Sequence, residues 1–177
     1  MTNNDILRRL RYAFDFNDAA MIRLFALSAC VVSRSEVSDW LKAEDDPQQQ
    51  PLNDKQLATF LNGLIIEKRG KREGPMPAAE KRLTNNLILK KLRIALNLKD
   101  DDLLAILARA DLSMSKHELS ALFRKPGHKN YRECKDQLLR NFLKGLQLKL
   151  RRPSPWDAAR LKVRAASSTG DEPKAGG

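Results

Sequence analysis

The sequence is poor in the residues from which most catalytic and metal sites are built. It has two cysteines and two histidines among 177 residues. Cys30 and Cys134 make no Cys-x-x-Cys pair and no disulfide framework, and Cys30 is expected to be a buried thiol. His117 and His128 lack partners at metal-ligand spacing. No glycine-rich phosphate loop and no Ser–His or Cys–His pairing is visible, so neither an enzyme nor a cofactor is expected. No apolar run approaches the ~20 residues of a membrane span. The start, Thr2-Asn3-Asn4-Asp5, is polar and leads straight into an amphipathic segment, unlike a secretory signal. A cytoplasmic protein with no membrane partner is the expectation.

What the chain has instead is repetition. Thr2-Asn3-Asn4 returns as Thr84-Asn85-Asn86, and Phe60-Leu61-Asn62-Gly63-Leu64 returns at Phe142 to Leu146 with one change. Both matches lie at an offset of 82, and Ile6-Leu7, Leu10-Arg11, Ala13, Asp18, Ala26, Ser33, Glu36 and Asp54 also recur at it. A gapless run of matches at one offset is a tandem duplication.

Each copy predicts four helices. In the first, Ile6, Leu7, Leu10 and Phe14 share one face at helical and not strand spacing, with Thr2 or Asn4 as the cap. A second helix spans about Asp18–Ala29. Ser33-Arg34-Ser35-Glu36 has capping-box form and recurs as Ser115-Lys116-His117-Glu118, which sets a third-helix start in both copies. After a polar loop holding Pro47 and Pro51, Asn53 is placed to cap a fourth helix with Leu57, Phe60, Leu61, Leu64 and Ile65 on one stripe. Gly63 and Gly145 interrupt this stripe in both copies, at ~1 kcal/mol each relative to alanine. They predict close approach of another backbone, with the other repeat as the expected partner. In the second copy the helices are expected near 86–96, 100–110, 115–124 and 131–151. The fold class is therefore all-α: two tandem four-helix repeats with helix-turn-helix-like segments. The expected bounds are 1–66 for the first repeat, 67–83 for an exposed basic linker, 84–152 for the second repeat, and 153–177 for a tail expected to be disordered apart from a short helix around Trp156–Val163.

Thr-Asn-Asn at each repeat start, Trp40-Leu41-Lys42-Ala43-Glu44-Asp45-Asp46-Pro47, Phe60-Leu61-Asn62-Gly63-Leu64, and the run Leu122 to Arg132 together resemble the YehS-like bacterial proteins. The resemblance spans residues 1–151 and implies the tandem architecture. It carries no catalytic residues onto this chain.

Charge separates the copies. Residues 1–66 hold seven Lys/Arg against nine Asp/Glu, a net of −2, whereas residues 84–152 hold sixteen against seven, a net of +9. The linker adds +3 and the tail +1, giving the total of +11. Such asymmetry suggests an anionic partner for the second copy.

Two constellations are candidates. Val32 to Leu41 is similar to the turn and recognition helix of small DNA-binding proteins. Its exposed face would hold Arg34, Ser35, Ser38 and Lys42, answered by Lys116, His117, Ser120 and Arg124. A capped amphipathic helix in a small bundle produces the same string, and the turn has Ala29-Cys30-Val31 where glycine is usual. The second candidate is the Pro-Gly turn Arg124-Lys125-Pro126-Gly127-His128-Lys129-Asn130-Tyr131-Arg132, whose clustered cations suit phosphate and whose tyrosine suits base stacking. The expected nucleic-acid-binding residues are thus Arg34, Lys116, Arg124, Lys125, His128, Lys129, Tyr131 and Arg132. The equivalent loop of the first copy, Lys42 to Gln50, is acidic. The expectation is a small regulatory nucleic-acid-binding protein. The alternative is an adaptor that binds an acidic protein, or associates weakly with itself, through these oppositely charged loops.

Overall fold

The computed structural model describes residues 1–151, and the expectations for the tail lie outside them. Among the described residues the chain forms eight helices: α1 Asn3–Phe14, α2 Asp18–Leu27, α3 Arg34–Leu41, α4 Asp54–Arg69, α5 Asn85–Leu96, α6 Asp100–Arg109, α7 Lys116–Ala121 and α8 Asp136–Leu150. Helices α5–α8 repeat α1–α4, and for the first and third helices of each copy the local reasons repeat with them. Thr2 and Thr84 cap α1 and α5, each accepting a backbone N–H three residues on at 3.2 Å. Asp15 and Asn97 end these helices in the left-handed conformation, at φ 55° and 52°. The capping boxes at Ser33–Glu36 and Ser115–Glu118 are both closed, with each serine hydroxyl accepting the glutamate N–H at 3.1 Å.

The two repeats share one continuous apolar core. Phe25, Phe60 and Phe142 are fully buried within it, and Phe25 meets Phe60 and Trp40 at ring-centre distances of 5.5 and 5.4 Å. Burial of aromatics on this scale is the main source of stability in a core of this kind. The repeats are joined reciprocally: α1 packs along α8, and α5 packs along α4. Both pairs run parallel. The Met1 ammonium meets Asp136 at the start of α8 at 2.9 Å, while Arg151, just past its end, meets Asp15 at 3.6 Å. Equivalently, the Leu83 backbone N–H donates to Asp54 at the start of α4 at 2.8 Å. Residues 70–83 therefore run back along α4 to begin the second repeat.

Several details differ from the sequence-based expectation. Gly63 and Gly145 do mark close backbone approach, but to the second helix of their own repeat. A Cβ at Gly63 would lie 1.8 Å from the Leu24 carbonyl oxygen, and one at Gly145 would lie 1.9 Å from that of Ile106. Packing of α2 on α4 and α6 on α8 thus needs glycine, and the inter-repeat contact uses other faces. Residues 67–69 continue α4 instead of beginning the linker. Glu80 and Leu83 at the linker's far end are half-buried and anchored, while residues 70–78 are exposed. Cys30 is only half-buried; Cys134 is the enclosed thiol, and burial raises its pKa to about 11. Asn4 is not a cap. Finally, α7 ends at Ala121 and α8 starts at Asp136, with a loop of turns between them whose carbonyls at Leu122 and Arg132 and N–H at Cys134 bond to Asn86.

Candidate nucleic-acid interface

The basic turn after α7 is built from the start of α5. Asn86 is buried in the first turn of that helix. Its Nδ2 donates to the carbonyls of Leu122 at 2.9 Å and Arg132 at 2.8 Å, and its Oδ1 accepts the Cys134 N–H at 2.9 Å. One amide thus closes both ends of the segment 122–134 and uses donors and acceptor together. Asn4 does the same for the first repeat, with the carbonyls of Trp40 and Gln50 and the N–H of Leu52 at 2.9, 2.8 and 3.0 Å. The preceding residues, Asn3 and Asn85, hold Asp54 and Asp136 at 2.7 Å each. The repeated Thr-Asn-Asn string therefore caps the helix, orients the fourth helix and shapes the loop. The hydrogen bond from Asn85, joined by that from the Met1 ammonium, keeps the Asp136 carboxyl below its ordinary pKa.

Both loops adopt one backbone path. The N–H groups of His128, Tyr131 and Arg132 donate to the carbonyls of Lys125, His128 and Ala121, and those of Asp46, Gln49 and Gln50 do so to Ala43, Asp46 and Asp39. The Asn130 N–H donates to His128 Nδ1 at 3.0 Å where the Gln48 N–H donates to Asp46 Oδ1 at 2.9 Å. With Nδ1 accepting, the neutral His128 ring carries its proton on Nε2, a donor free to turn outward.

Identical paths carry opposite electrostatics. In the first repeat, Lys42 is neutralised by Asp39 at 2.5 Å. At the equivalent positions Arg124 follows Ala121, so the partner is lost, and Arg124 Nε is buried without a hydrogen bond. Lys125, His128, Lys129 and Arg132 are exposed. None of these side chains is in an ion pair among the described residues. Tyr131 is half-buried and lines a cleft of about 430 Å³ with Asn85, Asn86 and Cys134, so only part of its ring can meet a base.

The other two expected residues lie elsewhere. Arg34 opens α3 in the first repeat and faces Asp18 at 3.9 Å; Lys116 opens α7 and pairs with Asp101 at 3.1 Å. Lys116 thus sits at the far end of α7 from the turn. Ala29 and Asp111, in the turns before α3 and α7, are left-handed at φ 57° and 59°, so the backbone takes the glycine-favoured form without glycine. The two loops share no hydrogen bond or ion pair among the described residues. No group of three His, Cys, Asp or Glu side chains could hold a metal there, and no helix is long and apolar enough to cross a membrane.

The chain is thus a twice-repeated helical unit with a Thr-Asn-Asn loop lock in each copy. The chain belongs to the family described as protein of unknown function (DUF1456), whose model matches twice, at residues 3–70 and 85–152. It is 48% identical over 147 residues to the uncharacterized protein YehS of Escherichia coli (strain K12), a match covering 82% of this chain and 94% of that protein. No solved structure matches.

Proposed function

We propose that the protein is a small regulatory nucleic-acid-binding protein that contacts phosphates through the turn 124–132. One observation carries the reading: on a backbone path shared with an acidic loop whose one cation, Lys42, is paired, this turn displays cations that no carboxylate neutralises among the described residues. Pinning by Asn86 holds them in place before binding, which reduces the ordering cost of association. Phosphate contact favours such a surface, because each neutralised phosphate releases condensed counterions. The helix-turn-helix contact is the less favoured mode, since Arg34 and Lys116 already face carboxylates. The test is fluorescence anisotropy with labelled single-stranded and duplex oligonucleotides over a salt series. Lys125→Glu with Lys129→Glu should weaken binding and flatten the log K against log salt slope by about two units, roughly 0.9 per lost contact on duplex. Helical circular dichroism should stay unchanged. Unchanged affinity and slope would remove the turn from the interface. Failure of the wild type to bind at low salt would end this reading in favour of an adaptor for an acidic protein surface, which the opposite charges of the two loops also suit.

A further inference from the structure

Helices α1 and α5 carry cations at equivalent positions, and the second repeat shows how such cations are neutralised. Lys91 on α5 is buried, donates to Asn62 Oδ1 at 2.6 Å and pairs with Glu80 at 3.0 Å. Arg93 pairs with Asp100 at 2.9 Å and lies over the Phe123 ring at 4.6 Å. Three of these supports are missing around α1. The position of Asn62 holds Lys144, that of Phe123 holds Leu41, and Asp18, the counterpart of Asp100, faces Arg34. Arg8 is occupied by Asp5 and by the Lys42 carbonyl at 2.8 Å. Arg9 and Arg11 have no ion pair or side-chain hydrogen bond among the described residues, and Arg11 Nε is shielded from solvent without a partner.

These arginines line a shallow cleft of about 310 Å³ between α1, the end of α3 and α8, with Tyr12, Leu41 and Gln147 completing its wall. Tyr12 is 49% exposed, although Arg151 lies over its ring at 3.7 Å. Asp5 pairs with Arg8, and Asp15 lies 3.6 Å from Arg151. A shielded guanidinium N–H without a partner is costly, and each guanidinium that lines the cleft can offer paired N–H donors to phosphate oxygens. The volume is at the lower end of small-ligand sites, and the tyrosine supplies an apolar wall.

We infer that this cleft binds a small phosphate ester of the nucleotide class, with the phosphate on Arg9 and Arg11 and the base against Tyr12. The site lies between α1 and α3 of the net-acidic repeat and α8 of the basic one, and does not rest on the nucleic-acid reading of the basic turn. Isothermal titration of the full-length protein with AMP, GMP, inorganic phosphate and adenosine tests it. Saturable binding of a nucleotide is expected, with no binding of adenosine. Arg9→Gln with Arg11→Gln should weaken nucleotide binding at least about tenfold, since two charge-assisted contacts are lost. Tyr12→Ile, which copies the residue at the equivalent position of α5, should weaken nucleotides and leave inorganic phosphate unaffected. The pair Lys125→Glu and Lys129→Glu should retain full nucleotide affinity, which separates this site from the basic turn. No saturable binding of either nucleotide at millimolar concentration would overturn the inference. So would equal affinity for inorganic phosphate, or unchanged affinity in both the arginine and the tyrosine variants.

Discussion

Replacing Asn86 with alanine removes three hydrogen bonds and leaves their partners behind. Leu122 and Cys134 are each 1% exposed, so the Leu122 carbonyl and the Cys134 N–H cannot turn to water. Arg132 is exposed, and its carbonyl can be rehydrated. An enclosed polar group left unsatisfied costs about 1–3 kcal/mol. Two of them give a loss near 3 kcal/mol, within a range of roughly 2–6. At about 2–4 °C per kcal/mol for a chain of this size, the melting temperature should fall by roughly 6–12 °C. Asn86→Asp should be at least as damaging. It keeps an acceptor for Cys134 but sets carboxylate oxygen against two carbonyls. Chemical denaturation followed by circular dichroism measures the loss, and hydrogen exchange at the Arg132 amide, bonded to the Ala121 carbonyl at 3.0 Å, reports whether the turn loosens. A loss below about 1 kcal/mol with unchanged Arg132 protection would refute the claim that Asn86 holds the turn.

Two further outcomes are expected. Gly145→Ala places a methyl against backbone atoms of Ile106, so α6 and α8 must separate; a loss of about 1–3 kcal/mol or more is expected, against less than about 0.5 for Lys144→Ala next to it on the surface, read from the same denaturation curves. Asp136 has a folded pKa below its ordinary 3.8, so its stabilising contribution is complete above that value and is lost as pH falls through the depressed one. The melting-temperature gap between wild type and Asp136→Asn should therefore be largest at neutral pH and close well below 3.8; a gap independent of pH would show that the carboxylate charge contributes nothing.

The features that depend on neighbours in the chain were legible from the residues alone. The offset of 82, the helical spacing of Leu57, Phe60, Leu61 and Leu64, and the capping boxes at Ser33 and Ser115 each rest on contacts within a few positions, where covalent geometry leaves little choice. The glycines show where this ends: an interior glycine in both copies foretold close approach, yet the helix that approaches belongs to the same repeat. Nothing local to Gly63 distinguishes Leu24 from a residue of the other half.

Tertiary structure decided the rest, because it brings together groups that are far apart in the chain. Asn4 looks like an alternative cap until the segment 36 to 48 residues later folds back onto it, as the equivalent segment folds onto Asn86. The pairing of α1 with α8 and of α5 with α4 makes one core from two small repeats. Net charge pointed to the second repeat as the cationic one. Yet Lys91 and Arg93 there are neutralised by Glu80 and Asp100, while Arg9 and Arg11 in the acidic repeat have no ion pair among the described residues. A count of charges is fixed by composition, whereas the charge a surface presents depends on which carboxylates the fold brings within about 4 Å, and only the folded chain sets those distances.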